Sequence, residues 1–137
     1  MEIETHHPAP DDLADAIHDR LVEAGQALHP SAMPSFAVSA RDEKGALVGA
    51  GKGEIAFRSA HLSELWVAEA ARGAGLGSRL IEAAEALARE QGCHRLHLET
   101  RSSAARRLYE RLGYRVFGLL PDYDGAEPFC YLVKDFD

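Results

Sequence analysis

The sequence predicts a single mixed α/β domain, and three observations carry that prediction. Apolar residues alternate with small and polar ones over 35–41 and return over 46–57 after an Asp-Glu-Lys-Gly turn, the pattern of an antiparallel hairpin. Further on, a strand, a glycine-rich loop, an amphipathic helix and another strand succeed one another, the order of a parallel crossover. The 137 residues suit one core rather than two.

In chain order, residues 2–5 are a short strand candidate. Pro10 followed by Asp11 and Asp12 starts a helix well, because proline tolerates the first turn and acids favour the positive end of the dipole. Leu13, Ile17, Leu21 and Leu28 recur near helical spacing, which predicts an amphipathic helix over 11–28. The hairpin comes next, its second strand rich in glycine, and 62–67 is a third strand of the same meander. The following loop runs into a helix with Leu76, Leu80, Ile81, Ala84, Leu87 and Ala88 on one stripe, capped by Gly92. Residues 94–100 form a strand with Leu96 and Leu98 on one face. Ser102 or Ser103 caps a helix over 104–112 that stops at Gly113. Strands over 114–120 and 128–133 close the chain around a turn-rich Pro-Asp-Tyr-Asp-Gly-Ala-Glu stretch. The expected order is β-α-β-β-β-α-β-α-β-β, a central mixed sheet flanked by helices.

Composition narrows the possible functions. With 46% hydrophobic and 27% charged residues the chain is globular rather than disordered. A net charge of −7 argues against an extended nucleic-acid or anionic-membrane surface, since phosphate binding needs clustered Lys and Arg. Arg101, Arg106, Arg107, Arg111 and Arg115 nevertheless crowd one segment, either as a solvated helix face or as a local anion site. Cys93 and Cys130 lie in apolar runs without a pairing motif and read as reduced core residues. No apolar run approaches the roughly 20 residues of a membrane span, and the N-terminus lacks the features of a signal peptide, so a cytoplasmic location is expected. His94 and His97 point to opposite faces of a strand, and no Cys/His framework surrounds them, so no metal is expected.

The stretch that carries chemistry is Leu65-Trp66-Val67, then Arg72-Gly73-Ala74-Gly75-Leu76-Gly77-Ser78 and a strong helix. The first N–H groups of a helix lack intrahelical partners, and the dipole adds partial positive charge there. Glycines remove Cβ atoms that would hold a phosphate away. Together these make an anion cradle, with Arg72 adding a permanent charge at its mouth. A Walker A loop is excluded because no lysine follows the glycines. A dinucleotide fingerprint is excluded by the GxGxG spacing and by the roughly 60 residues that remain.

Arg-x-x-Gly-x-Gly after Leu-x-Val, followed about 25 residues later by Ser-x-x-Ala-x-x-Leu-Tyr-Glu-x-Leu-Gly-Tyr, resembles the GNAT superfamily of N-acetyltransferases. The ending Gly-Tyr-Arg-Val-Phe-Gly is also similar to small bacterial members of that family. The resemblance implies a GNAT fold and acetyl-CoA as co-substrate, with its pyrophosphate on Arg72, Gly73, Ala74, Gly75, Leu76 and Gly77, and on Ser78. It implies that the preceding strand splays from its parallel neighbour, so that Leu65, Trp66 and Val67 run along the pantetheine arm. A backbone N–H near Val67 then polarises the thioester carbonyl. Ser102 stands where the family places an asparagine, and the chain contains no asparagine. Ala105 falls where the family needs a small residue against the cofactor, and Tyr109 matches the tyrosine that hydrogen-bonds the departing sulfur.

A lysine-like ammonium has a pKa of about 10.4, so freeing it near neutral pH costs on the order of 4 kcal/mol. Glu64, on the Trp66 face of its strand, is the leading base candidate; His61 and a water chain are the others. Trp66, Phe57 and Tyr123 either line a substrate cleft or pack in the core or at the rim. Asp122, Asp124 and Glu127 are a solvated turn, or a feature that attracts a cationic amine. The reading is direct acetyl transfer to a primary amine of a small molecule or peptide, without nucleic acid, membrane or metal, in a chain that can form a homodimer as similar proteins do. The alternatives are a non-catalytic acetyl-CoA sensor of the same fold and a transferase for another acyl-CoA.

Overall fold

A computed structural model describes residues 1–28 and 34–136, with side chains 27 and 28 excepted. The backbone divides into two compact units, Met1–Ala32 and Met33–Asp137. In the first unit, α1 spans Asp11–Leu28, with both acids in its opening turn as the dipole favours. Its ladder begins early, the Ala14 N–H donating to the Pro10 carbonyl at 2.9 Å. Residues 2–5 form no strand, which corrects the expectation from sequence. A strand persists through its neighbour, and these residues have no ladder partner among the described residues.

The second unit holds β1 (Ser35–Arg41), β2 (Leu47–Ala56), β3 (Ser59–Val67), a 3₁₀ turn (Glu69–Ala71) and α2 (Leu76–Glu90). It continues with β4 (Arg95–Thr100), α3 (Ser103–Arg111), β5 (Arg115–Asp124) and β6 (Glu127–Asp135). The strands form one six-stranded mixed sheet in the order β1-β2-β3-β4-β6-β5. β3 and β4 pair in parallel across the α2 crossover, and the other neighbours pair antiparallel. The last hairpin is longer than expected. Most of the stretch read as a turn belongs to β5, and the tip is Gly125 and Ala126, with Gly125 at φ +70 supplying the left-handed residue of a tight closure.

Ile81, Ala84, Leu62, Leu96, Leu132 and Tyr109 meet in one core, so α2 and α3 cover the same face of the sheet. The buried Glu85 carboxylate is fully met there: the Tyr114 hydroxyl donates to it at 2.8 Å and the Lys134 ammonium at 3.0 Å. Cys93 and Cys130 are buried free thiols. No helix among the described residues is long and apolar enough to cross a membrane.

Two irregularities position the site. The parallel ladder joins only 59–61 to 95–97, after which β3 and β4 run on to Val67 and Thr100 without pairing, leaving a wedge in the sheet. In the β2–β3 ladder, Gly53 pairs with Leu62 and Lys52 with Glu64, so Ser63 is an extra, bulged residue. The bulge resets the alternation. Leu62, Leu65 and Val67 face the helices, while His61, Glu64 and Trp66 share the opposite face.

Candidate active site

Gly73 and Gly75 sit at φ +85 and +79, a region costly for residues with a Cβ, and Gly75 caps α2. The first helical bond runs from the Arg79 N–H to the Gly75 carbonyl at 3.1 Å. The N–H groups of Leu76, Gly77 and Ser78 therefore precede the ladder and open outward. They border a cavity of about 490 Å³ lined also by Arg72, Gly73, Val67, Ala104 and Arg111. Of the crowded arginines, Arg111 alone borders this cavity. Arg101 pairs with Asp124 at 2.7 Å, Arg106 with Glu110 at 3.4 Å and Arg115 with Asp135 at 2.9 Å. Of the two readings offered for these arginines, the local anion site fits Arg111, which borders the loop cavity with Arg72 because of how α3 meets the loop.

At Gly77 a Cβ would stand 3.7 Å from Leu108 and 3.9 Å from Val67, ordinary contact distances. Neither the backbone nor the packing requires glycine there. The bare helix start leaves room for a group as large as a pyrophosphate against the N–H groups.

The Ala68 N–H donates to the Val48 carbonyl at 2.8 Å, so alternation turns the Val67 backbone away from β2 and into the wedge. The Val67 carbonyl accepts from Arg72 Nε at 3.1 Å, which ties the loop to the strand and leaves the N–H facing the wedge. Beyond it a cleft of about 1010 Å³ is lined by Leu65, Trp66, Glu64, Lys52, Glu99, Arg101 and Tyr109, among others. Phe57 lies in the β2–β3 turn and Tyr123 packs on Phe129 at 4.7 Å; neither lines this cleft.

Ser102 is the α3 N-cap, its Oγ accepting from the Ala105 N–H at 3.2 Å. Ala105 packs against the core, and its neighbour Ala104 borders the loop cavity. Tyr109 is buried, and burial first, then the nearby Glu99 charge, holds its hydroxyl above the usual tyrosine pKa. It thus stays a neutral donor over the physiological range.

Glu64 and Lys52 form an exposed ion pair at 2.8 Å, which raises the lysine through the hydrogen bond and then the charge of Glu64. Glu99 is better sheltered. Its carboxylate oxygens lie 2.8 and 2.9 Å from His61 Nε2. The His61 ring stacks on His97 with centroids 4.6 Å apart and planes 3° from parallel. The parallel register, which sets His61 beside His97, assembles this cluster from residues far apart in sequence. Sequence reasoning did not single out Glu99 as a cleft residue for that reason. His61, His97 and Glu99 lie close enough to share a cation. Ring lone pairs lie in the ring planes, however, and two parallel planes do not aim theirs at one point, so the geometry is that of a hydrogen-bonded stack.

The acetyltransferase (GNAT) family model matches residues 3–114. The chain is 44% identical to a blasticidin-S acetyltransferase of Streptomyces morookaense over 101 residues, 73% of this chain and 74% of that protein. Its fold matches the crystal structure of an Agrobacterium tumefaciens protein assigned to the acetyltransferases, with a TM-score of 0.90, 28% identity, and 99% and 100% of the two chains covered. A protein of Bacillus anthracis assigned as a streptothricin acetyltransferase, crystallised with acetyl coenzyme A, shares the fold at a TM-score of 0.67, with 24% identity and 75% and 63% of the chains covered. The wedge, the glycine loop and these similarities agree: the chain belongs to the GNAT family and is an N-acetyltransferase.

Proposed function

We propose that the chain moves the acetyl group of acetyl-CoA directly to a primary amine of a small molecule. One observation carries this reading: beyond the short parallel ladder, consecutive residues of β3 border both cavities, Val67 the loop cavity with its outward N–H groups and Leu65 and Trp66 the cleft that holds Tyr109. A pyrophosphate on Leu76, Gly77 and Ser78, flanked by Arg72 and Arg111, sends the pantetheine arm along Leu65, Trp66 and Val67 and brings the thioester to the cleft. The match to the acetyltransferase (GNAT) family and the acetyl coenzyme A bound in the Bacillus anthracis neighbour support acetyl as the donor group.

The amine attacks the thioester carbon from the Glu64 and Glu99 side of the sheet. The Val67 N–H stabilises the charge that develops on the carbonyl oxygen. As the C–S bond breaks, the Tyr109 hydroxyl donates to the sulfur. A thiol with a reference pKa of about 8.5 leaves well unaided, so this donor assists the reaction without being essential. Holding both reactants in one cleft supplies a further share of the rate. Similarity to a blasticidin-S acetyltransferase supports a small-molecule acceptor, and blasticidin S is the first amine to try.

The test is an amine panel (blasticidin S, polyamines, amino acids, lysine peptides) with acetyl-CoA, monitored by free thiol. Turnover is expected with at least one member. Tyr109→Phe should lower kcat about tenfold, one hydrogen bond's worth, without changing KM for acetyl-CoA. If folded protein takes up no acetyl-CoA in calorimetry and releases no thiol, the reading fails.

A further inference from the structure

Resting on the acetyltransferase reading above, we propose that Glu99 is the base that takes the acceptor's proton, and that His61 is the residue that positions it. Among the described residues, two carboxylates line the cleft, Glu64 and Glu99. Glu64 is 67% exposed and bound to the Lys52 ammonium, so protonating it breaks an ion pair that solvent already screens. The Glu99 side chain is 23% exposed, and its partner is an imidazole rather than a fixed charge.

The geometry also sorts the roles of Glu99 and His61. One imidazole nitrogen within 2.9 Å of both carboxylate oxygens must carry a hydrogen, since a lone pair there would face two anionic oxygens. His61 therefore donates through Nε2, and its basic lone pair lies on Nδ1, the other side of the ring. His61 is absent from the cleft lining, whereas Glu99 forms part of it. The stacked His97 ring holds His61 in plane, and burial, then the neighbouring His61, lowers the His97 pKa so that it stays neutral.

Among the described residues, the charged and titratable surroundings are few. His61 faces Glu99 from β3, Tyr131 pairs with it from β6, and Tyr109 senses its charge from α3. His97 and Arg95 stand on its own strand, and the Lys52–Glu64 pair and Arg101 complete the cleft. Base and sulfur donor thus line one cleft, Glu99 from β4 and Tyr109 from α3.

The steps balance. Glu99 takes one proton from the acceptor ammonium and releases it to water. The freed lone pair bonds the thioester carbon, and the C–S bond breaks while the Tyr109 hydroxyl donates a hydrogen bond to the departing thiolate. The excess proton on nitrogen passes through water to the thiolate, leaving amide, CoA thiol and the one proton that Glu99 released.

The experiment compares pH–rate profiles for the panel amine that turns over fastest. Glu99→Gln should lower kcat/KM for the amine about 100-fold at pH 7, and the deficit should shrink as pH approaches the amine's own pKa. Affinity for acetyl-CoA by calorimetry should stay unchanged, which also reports folding. Glu99→Asp keeps a carboxylate and should fall between; it serves as the test if the glutamine variant does not fold. His61→Gln retains an N–H donor and should stay within a few-fold of wild type, whereas His61→Leu should approach Glu99→Gln in kcat with KM for acetyl-CoA unaltered. A wild-type profile in Glu99→Gln, or transfer of the pH-dependent loss to Glu64→Gln, overturns the assignment of the base alone. Folded wild type that takes up no acetyl-CoA and releases no thiol overturns the acetyl-transfer reading and this inference with it.

Discussion

At Gly77 the chain keeps a residue that its own fold does not need. A helical glycine costs about 1 kcal/mol relative to alanine, and a Cβ there would meet Leu108 and Val67 only at ordinary contact distance. Gly77→Ala should therefore raise stability by up to about 1 kcal/mol, read as a Tm a few degrees higher, while weakening acetyl-CoA binding tenfold or more in calorimetry. Gly75→Ala should behave oppositely in stability, losing about 1–2 kcal/mol from its left-handed backbone. Unchanged acetyl-CoA affinity in Gly77→Ala would remove the pyrophosphate from the helix start. The loop was legible in sequence because its chemistry is local: neighbouring residues supply both the glycines and the helix that follows. The acidic side of the site was less so. Glu64 and Trp66 share a face as alternation predicts, but only the bulge at Ser63 adds His61 to that face, and only the parallel register places His61 against Glu99.

Between elements, the parallel β3–β4 ladder brings two imidazoles into contact and gives that pairing a pH dependence. His97 is shifted below its ordinary value, first by burial and then by His61, with Glu99 opposing. The unfolded chain therefore binds this proton more readily than the folded one, in the window from about 6.5 down to the lower folded pKa. The His97 contribution to stability is present above that window and is lost as pH falls through it. Thermal melts between pH 8 and pH 5 should show wild type losing Tm on acidification faster than His97→Gln, and parallel curves would show that this ring does not govern the loss. Most elements were legible because each carries its own period: α1, β1 and α2 repeat locally, and Gly92 and Gly113 mark helix ends with φ +80 and +99. Residues 2–5 were misread because alternation over so short a run does not supply a ladder partner. The β5–β6 hairpin was read too short because Pro121, Asp122 and Gly125 are turn formers in isolation, and cross-strand pairing of Leu119, Leu120 and Asp124 outweighs that preference. The insertion of β6 between β4 and β5 is likewise a property of the whole sheet, invisible to any one segment.

On the scale of the whole molecule, a net charge of −7 sets a field that favours a cationic acceptor, and the β5–β6 tip concentrates part of it. Asp122, Asp124 and Glu127 are exposed there, and Asp124 is joined at 2.7 Å to Arg101, which lines the cleft. Both partners are 64% exposed, so the pair adds little to stability. Its effect on the acceptor is larger, because neutralising Asp124 leaves the Arg101 guanidinium uncompensated at the cleft wall and adds repulsion to lost attraction. Replacing Asp122, Asp124 and Glu127 by their amides should raise KM for a cationic amine roughly fivefold, the equivalent of about 1 kcal/mol between charges in high dielectric. The melting temperature and KM for acetyl-CoA should hold. Because the Debye length is about 10 Å at 0.1 M salt, the difference between variant and wild type should narrow as salt is added, and it should vanish for an acceptor that is uncharged at the assay pH. A KM for the cationic amine that does not move in the triple variant would return these acids to the role of a solvated hairpin tip.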